Sequence, residues 1–182
     1  MLQLLLIKML ALGFEVISVS RSEILLRFVL SIFVGGLIGY EREYQNRPAG
    51  FITHILVCVG AAIIAIIQIL IVEDSINMML TYPQLSNALK ADSSRLVSQV
   101  VSGVGFLGAG SIIHNKGSVT GLTTAATLWV VACIGIAAGM GYYFLSITSA
   151  IGVYCVLVIL KRVKFRIQSK STSKEHQKEN SI

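Results

Sequence analysis

The chain has 182 residues, of which 54% are hydrophobic and 13% charged, with a mean hydropathy of +0.77 and a net charge of +6. A soluble domain carries about 25% charged residues, so composition excludes an ordinary soluble globule and a disordered chain. Despite the basic balance it also argues against a nucleic-acid partner. What remains is a small integral membrane protein. Lipid offers exposed backbone no partner, so the fold expected is an all-α polytopic helical bundle. The alternating strands of a membrane barrel are absent.

In chain order, residues 1–21 come first. Leu2–Ile7 and Met9–Leu12 are apolar, interrupted by Lys8 and Glu15, which share one helical face. This segment reads as an amphipathic helix lying in the membrane interface or leading into the first span. A sixth span stays open, whereas a secretory signal lacks both a leading charge and a clear cleavage site.

A spanning helix needs roughly 17–25 residues. Five runs qualify as transmembrane helices, Ile24–Tyr40, Ile52–Val72, Val97–Ile113, Leu122–Met140 and Tyr142–Leu160. Only Gly141 separates the last two, which predicts a tight helical hairpin. Residues 22–160 thus form the transmembrane domain. Residues 161–182 form a basic tail that opens with Lys161, Arg162, Lys164 and Arg166. The tail reads as an anchor on anionic lipid, with a protein-binding role as the alternative. Its last dozen residues are expected to be disordered.

With the N-terminus outside, the inner segments hold Arg42, Arg47, Lys116 and the seven Lys and Arg of the tail, against Lys8, Arg21, Lys90 and Arg95 outside. This asymmetry predicts a multi-pass protein with a cytoplasmic C-terminus.

Gly103-Val104-Gly105-Phe106-Leu107-Gly108 matches the dinucleotide fingerprint in letters. It lacks the preceding strand and the acidic residue about 20 positions on that the fingerprint requires. Helix packing is the better reading for Gly103, Gly105, Gly108 and Gly110, with a broken helix lining a site as the alternative. Gly35 and Gly39, and again Gly135 and Gly139, form small-x-x-x-small faces on the first and fourth spans.

Polar residues mark both ends of the spans. On the cytoplasmic side stand Glu41, Arg42, Arg47, Thr53 and His54, of which Thr53 and His54 already lie inside the second apolar run. Groups at that depth face the bundle interior and pair, so a Glu41–Arg42–Arg47–His54 network is one expectation and a solvated anchor the other. Thr123 and Thr124 open the fourth span, where a threonine caps free N–H groups or the helix start holds an anion. On the outer side are Asp92, Arg95 and Gln99. There Asp92 caps the third span, or Asp92 or Glu23 pairs with Arg95 or Arg27 across helices. No chain of carboxylates crosses the middle, so a proton or cation pump is not indicated. Cys58, Cys133 and Cys155 lie singly in apolar runs, as small hydrophobes rather than metal ligands or disulfides. No nucleophile–base–acid set is present, so neither an enzyme nor a cofactor is expected.

Three ordered blocks carry a resemblance. Gly36-Leu37-Ile38-Gly39-Tyr40-Glu41-Arg42-Glu43 with Arg47-Pro48-Ala49-Gly50 and Thr53-His54 is the first. Ser94-Arg95 and Gln99 through Gly110 are the second, and Gly121-Leu122-Thr123-Thr124-Ala125-Ala126 to Trp129 the third. Together they resemble the MgtC/SapB family over residues 22–160. The resemblance implies a bacterial inner-membrane protein of about five spans, tied to growth in low magnesium and, in pathogens, to survival inside host cells. It further implies a non-enzymatic regulator that restrains ATP synthase, or contacts another membrane protein or a second copy of itself, within the lipid bilayer. Transport of Mg²⁺ or another ion is the alternative. With about 20 residues after the last span, the chain is similar to the short SapB form, which lacks the C-terminal ACT-type domain.

Overall fold

The computed structural model describes residues 19–85 and 94–159. The expectations for the N-terminal amphipathic segment, for Asp92 and for the basic tail fall outside the described residues.

Helix α1 spans Arg21–Tyr44. Ser20 caps it, its hydroxyl accepting a 3.2 Å bond from the Glu23 N–H, the Ser-x-x-Glu arrangement of a helix start. Asn46 ends it in the left-handed region at φ 51°, while the Arg47 N–H returns to the Arg42 carbonyl at 3.1 Å. Helix α2 spans Phe51–Thr81, and a one-turn 3-10 helix, Pro83–Leu85, follows. Helix α3 is Arg95–Gly110. Strands β1 (Ile113–Asn115) and β2 (Ser118–Thr120) pair antiparallel, Ile113 opposite Thr120. Helix α4 is Leu122–Gly139 and α5 is Tyr143–Ile159.

The all-α bundle expected from composition is present, with three refinements. α1, α2 and α4 are long and apolar enough to cross a membrane, whereas α5, described to Ile159, is a shorter apolar helix. α3 has 16 residues, about 24 Å of helix against a hydrocarbon layer of about 30 Å. α2 runs past Val72 through Glu73 and Asp74 to Thr81, because a helix that leaves hydrocarbon for water keeps its internal hydrogen bonds. The third apolar run stops at Gly110 rather than Ile113, since Ile113 begins the β-hairpin.

α2 lies between α1 and α4, and its contact with each is glycine-lined. A Cβ at Gly35 would stand 2.8 Å from Cys58 Cβ, and one at Gly39 2.8 Å from the Phe51 carbonyl oxygen. From the other side, a Cβ at Gly135 would stand 2.2 Å from the Cys58 oxygen and one at Gly139 2.3 Å from the Ala62 oxygen. Both small-x-x-x-small faces are therefore spent inside this chain, on α2. Around Cys58 the core is completed by Val34, Ile38, Val131, Ile134 and Ala150. A second cluster joins α3 through Val104 to Ala61, Ala65, Ala132 and Ile136.

The outside of the bundle is apolar as well. Phe33, Phe106 and Phe144 are 69%, 82% and 83% exposed. A water-soluble protein does not display such side chains over all its helices, and a lipid-facing one does.

Candidate functional site

The turn between α1 and α2, the β-hairpin and the start of α4 gather at one end of the bundle. Glu41, Arg42, His54 and Thr124 are buried there, while Arg47, Thr53 and Thr123 are exposed. The expected ion-paired network is not what joins them. Glu41 accepts a hydrogen bond from the Gln45 amide one turn on. His54 sits within 2.8 Å of the Gly50 carbonyl through Nδ1 and 3.2 Å from Thr127 Oγ1 through Nε2. A carbonyl only accepts, so Nδ1 carries the proton. The Thr127 hydroxyl then stands between Nε2 and the Thr124 carbonyl, 2.9 Å away. Among the described residues the ion pair found is Glu23–Arg27, at the opposite end. The reason is reach: Glu41 points along its own helix, and its local partner satisfies it.

Arg42 is the exception. It is 1% exposed, and its Nε and Nη2 have no hydrogen-bond partner. Arg47 and His54 both lie within range of its charge. At the same end a pocket of about 320 Å³ is lined by Asn46, Arg47, Pro48, Val119 and Thr120 and by the first residues of α4, Gly121 to Thr124, without Arg42.

The start of α4 has no side-chain cap, contrary to the capping reading of its threonines. Gly121, the N-cap residue, has φ +88°, and a Cβ there would stand 1.9 Å from the Ser111 oxygen. Only glycine fits this junction of α3, hairpin and α4. Glu43 does the capping next door, its carboxylate accepting from the Phe51 N–H at 2.7 Å.

The opposite end holds a second polar group. Arg27 is 4% exposed. It donates to the Gly139 carbonyl at 2.8 Å, to Glu23, and to the Tyr143 hydroxyl at 3.4 Å. The pairing expected across helices is thus made within α1, and the link across helices is from Arg27 to the α4–α5 turn. That turn is tight: Gly141 has φ +82°, and a Cβ there would stand 2.9 Å from Arg27 Nη2. Arg95 and Gln99 are exposed. The start of α3 is held instead by Gln68, whose side-chain oxygen accepts from the Leu96 N–H at 2.8 Å.

Gly108 packs on Ala125 at 3.5 Å, but a Cβ at Gly103, Gly105 or Gly110 would meet nothing within 4 Å. Within this chain the packing expected of these three is not made. α3 buries only Val104 and Gly108. Gly103 lines an open apolar groove of about 460 Å³ between α2 and α3, with Leu56, Val57, Gly60, Ile64 and Leu107.

Gln68, Glu43, Thr127 and Tyr143 act in these arrangements without having stood out in the sequence. For Gln68 and Thr127 the signal was a polar residue inside an apolar helix. For Glu43 it was a carboxylate near a helix start. Among the described residues no three His, Cys, Asp or Glu stand together as a metal site.

The three blocks that build these two ends recur in known proteins, and residues 28–166 match the profile of the MgtC family. The chain belongs to the MgtC family. YhiD of Escherichia coli K12, named provisionally as a magnesium transporter, is 35% identical over 150 residues, 82% of this chain and 66% of YhiD. Protein MgtC of Salmonella typhimurium LT2 is 34% identical over 154 residues, 85% of this chain and 59% of MgtC. An uncharacterized protein of Haemophilus influenzae Rd is 41% identical over 119 residues, 65% of this chain and 47% of that protein. The chain therefore spans between about half and two thirds of the length of these relatives. No solved structure matches it significantly.

Proposed function

We propose that this MgtC-family protein is a non-enzymatic regulator in magnesium homeostasis. It sits in a bacterial inner membrane with the hairpin end and the C-terminus in the cytoplasm, and works through helix contacts with another membrane protein, of which ATP synthase is one candidate. Family membership and the names of the relatives support the link to magnesium. The observation that carries the contact reading is the groove between α2 and α3. Its two glycines, Gly60 and Gly103, have nothing within 4 Å, whereas the glycine faces of α1 and α4 are filled by α2. A groove of that kind accepts a helix closely.

A transport reading is favoured by the name of YhiD and by polar groups at both ends. Against it, the level between those ends is filled mainly by Val34, Ile38, Cys58, Val131 and Ile134, and the buried hydroxyls of Ser31 and Ser146 are spent on the backbone carbonyls of Phe28 and Ile134.

The test is rescue of a deletion strain in magnesium-limited medium, with protein levels checked by blot. Gly60→Leu and Gly103→Leu project into the groove and are expected to leave protein levels intact while abolishing rescue. Full rescue by both variants at normal levels overturns the contact reading.

A further inference from the structure

We propose that α3 is the contact helix of a symmetric dimer, in which a second copy of this chain covers the groove between α2 and α3. The inference rests on the contact reading above and deepens it, by naming what fills that groove and which side chains meet there. The spacing along α3 is the first support. The helix buries Val104 and Gly108 against α2 and α4. Leu96, Gln99, Gly103, Phe106 and Gly110 follow one another by three and four residues. At about 100° per residue these five fall within an arc of about 80°, turned away from Val104 and Gly108. Alternate spacings of three and four make the seam along which two helices pair. Gln99, Gly103, Phe106 and Gly110 are exposed on it. A Cβ at Gly103 or Gly110 would meet nothing within 4 Å, so a neighbouring backbone has room to approach.

The depth of Gln99 is the second. Gln68 on α2 holds the Leu96 N–H, and the apolar run of α2 goes on from there to Val72, before Glu73. Counting about 1.5 Å per helical residue from Glu73 back to Gln68, and on from Leu96 to Gln99, places this amide about 12 Å inside the apolar layer. The side chain is exposed there and makes no hydrogen bond among the described residues. Lipid offers an amide no partner. A second copy does, because a glutamine amide both donates and accepts. On a two-fold axis Gln99 meets its own counterpart, the kind of polar tie that joins helices in membranes.

The shape of the surface is the third. Phe106 is 82% exposed and does not line the groove of its own copy, which opens on the other flank of the seam, at Gly103 and Leu107. Two copies inserted the same way in a membrane share an axis along its normal, so their α3 helices run parallel. Two-fold symmetry then sets each flank of the seam against the opposite flank of the other copy. Each Phe106 therefore faces the other copy's groove, a space of about 460 Å³ where Gly60 and Gly103 present no side chain. A projection and a recess on opposite flanks of one helix make the surface complementary to itself, and the contact closes at two copies. A helix from another membrane protein would compete with the second copy for this groove.

The experiment counts copies of the purified full-length chain, fused at its C-terminus to a fluorescent protein, by stepwise photobleaching in liposomes over a range of protein-to-lipid ratios. The parent is expected to bleach in two steps until strongly diluted in lipid. Gln99→Leu and Phe106→Ala are each expected to raise the ratio needed for pairing about tenfold. Gly105→Ala, off the seam, is expected to pair like the parent. Single steps at every ratio would mean that lipid covers this face and would overturn the proposal. So would assemblies larger than two, or pairing undiminished in both seam variants. Should either seam variant fail to fold, cysteines decide. With Cys58, Cys133 and Cys155 replaced, Gly110→Cys on the seam is expected to form a disulfide between copies under mild oxidation, and Gly105→Cys is not; the reverse pattern overturns the proposal. Rescue in cells is a separate readout, so a monomer here beside lost rescue by Gly60→Leu and Gly103→Leu strikes the dimer and leaves the contact reading standing.

Discussion

His54 on α2 reaches Thr127 on α4, Nε2 to Oγ1 at 3.2 Å, and this is the polar tie that crosses the bundle at the hairpin end. The same ring holds the Gly50 carbonyl at 2.8 Å, so one side chain fixes both the start of α2 and its distance from α4. It is 0% exposed, and removing it deletes both bonds and leaves a buried cavity.

His54→Ala is therefore expected to destabilise the protein by about 1–3 kcal/mol, from the two lost hydrogen bonds and the cavity left by a buried ring. Thr127→Val keeps the shape and loses one bond between helices, which costs about 0.6 kcal/mol in membrane proteins. Thr53→Ala, on the exposed side of the same helix, is expected to have no effect. Reversible unfolding in mixed micelles measures all three.

The glycine contacts give a sharper contrast. Gly135→Ala and Gly139→Ala place a methyl 2.2 and 2.3 Å from backbone oxygens of α2, and neither helix can yield without the other. Both variants are expected to lower the yield of folded protein, with at least about 1–3 kcal/mol of strain. Gly103→Ala and Gly105→Ala meet nothing within 4 Å and are expected to fold like the parent. Equal monodisperse yields from all four variants would contradict the packing described.

How much of this was legible in the sequence depends on the physics behind each feature. The long helices α1, α2 and α4 were readable because hydrocarbon demands unbroken apolar runs. The hairpin was not, because only Lys116 and Gly117, at φ 21° and 93°, mark it, and a two-residue turn between short strands leaves little pattern. The far end of α2 was hidden for a related reason. Glu73 and Asp74 end an apolar run without ending a helix.

The glycines of α3 show a different limit. Successive helical residues turn by about 100°, so Gly103, Gly105, Gly108 and Gly110 cannot share one face. Composition says that each is small, and only the neighbours say which is used. At the polar ends the sequence located Glu41, Arg42, Arg47 and His54 at one end. It could not assign partners, because Gln45, Gly50 and Thr127 become partners only through helical spacing and the α2–α4 crossing.

Orientation is open to a direct check. In a variant with Cys58, Cys133 and Cys155 replaced, Ser118→Cys lies on the hairpin and Tyr82→Cys beyond the far end of α2, both at exposed positions. With the hairpin end in the cytoplasm, a membrane-impermeant maleimide added to intact cells labels position 82 and spares position 118 until the membrane is opened. The reverse pattern would invert the topology.

The central claim is that the protein regulates and does not conduct, and Mg²⁺ entry into sealed liposomes tests it most directly. The core between the polar ends is built mainly from Val34, Ile38, Cys58, Val131 and Ile134, its buried Ser31 and Ser146 hydroxyls already bonded to backbone carbonyls, and an ion crossing it would give up its water with little replacement. Purified protein reconstituted over a fluorescent Mg²⁺ indicator is expected to show the same slow entry as protein-free vesicles, with and without a membrane potential. Saturable Mg²⁺ entry that needs the protein, and that falls in His54→Ala or Arg42→Met at equal incorporation, would contradict the account and make this chain a transporter.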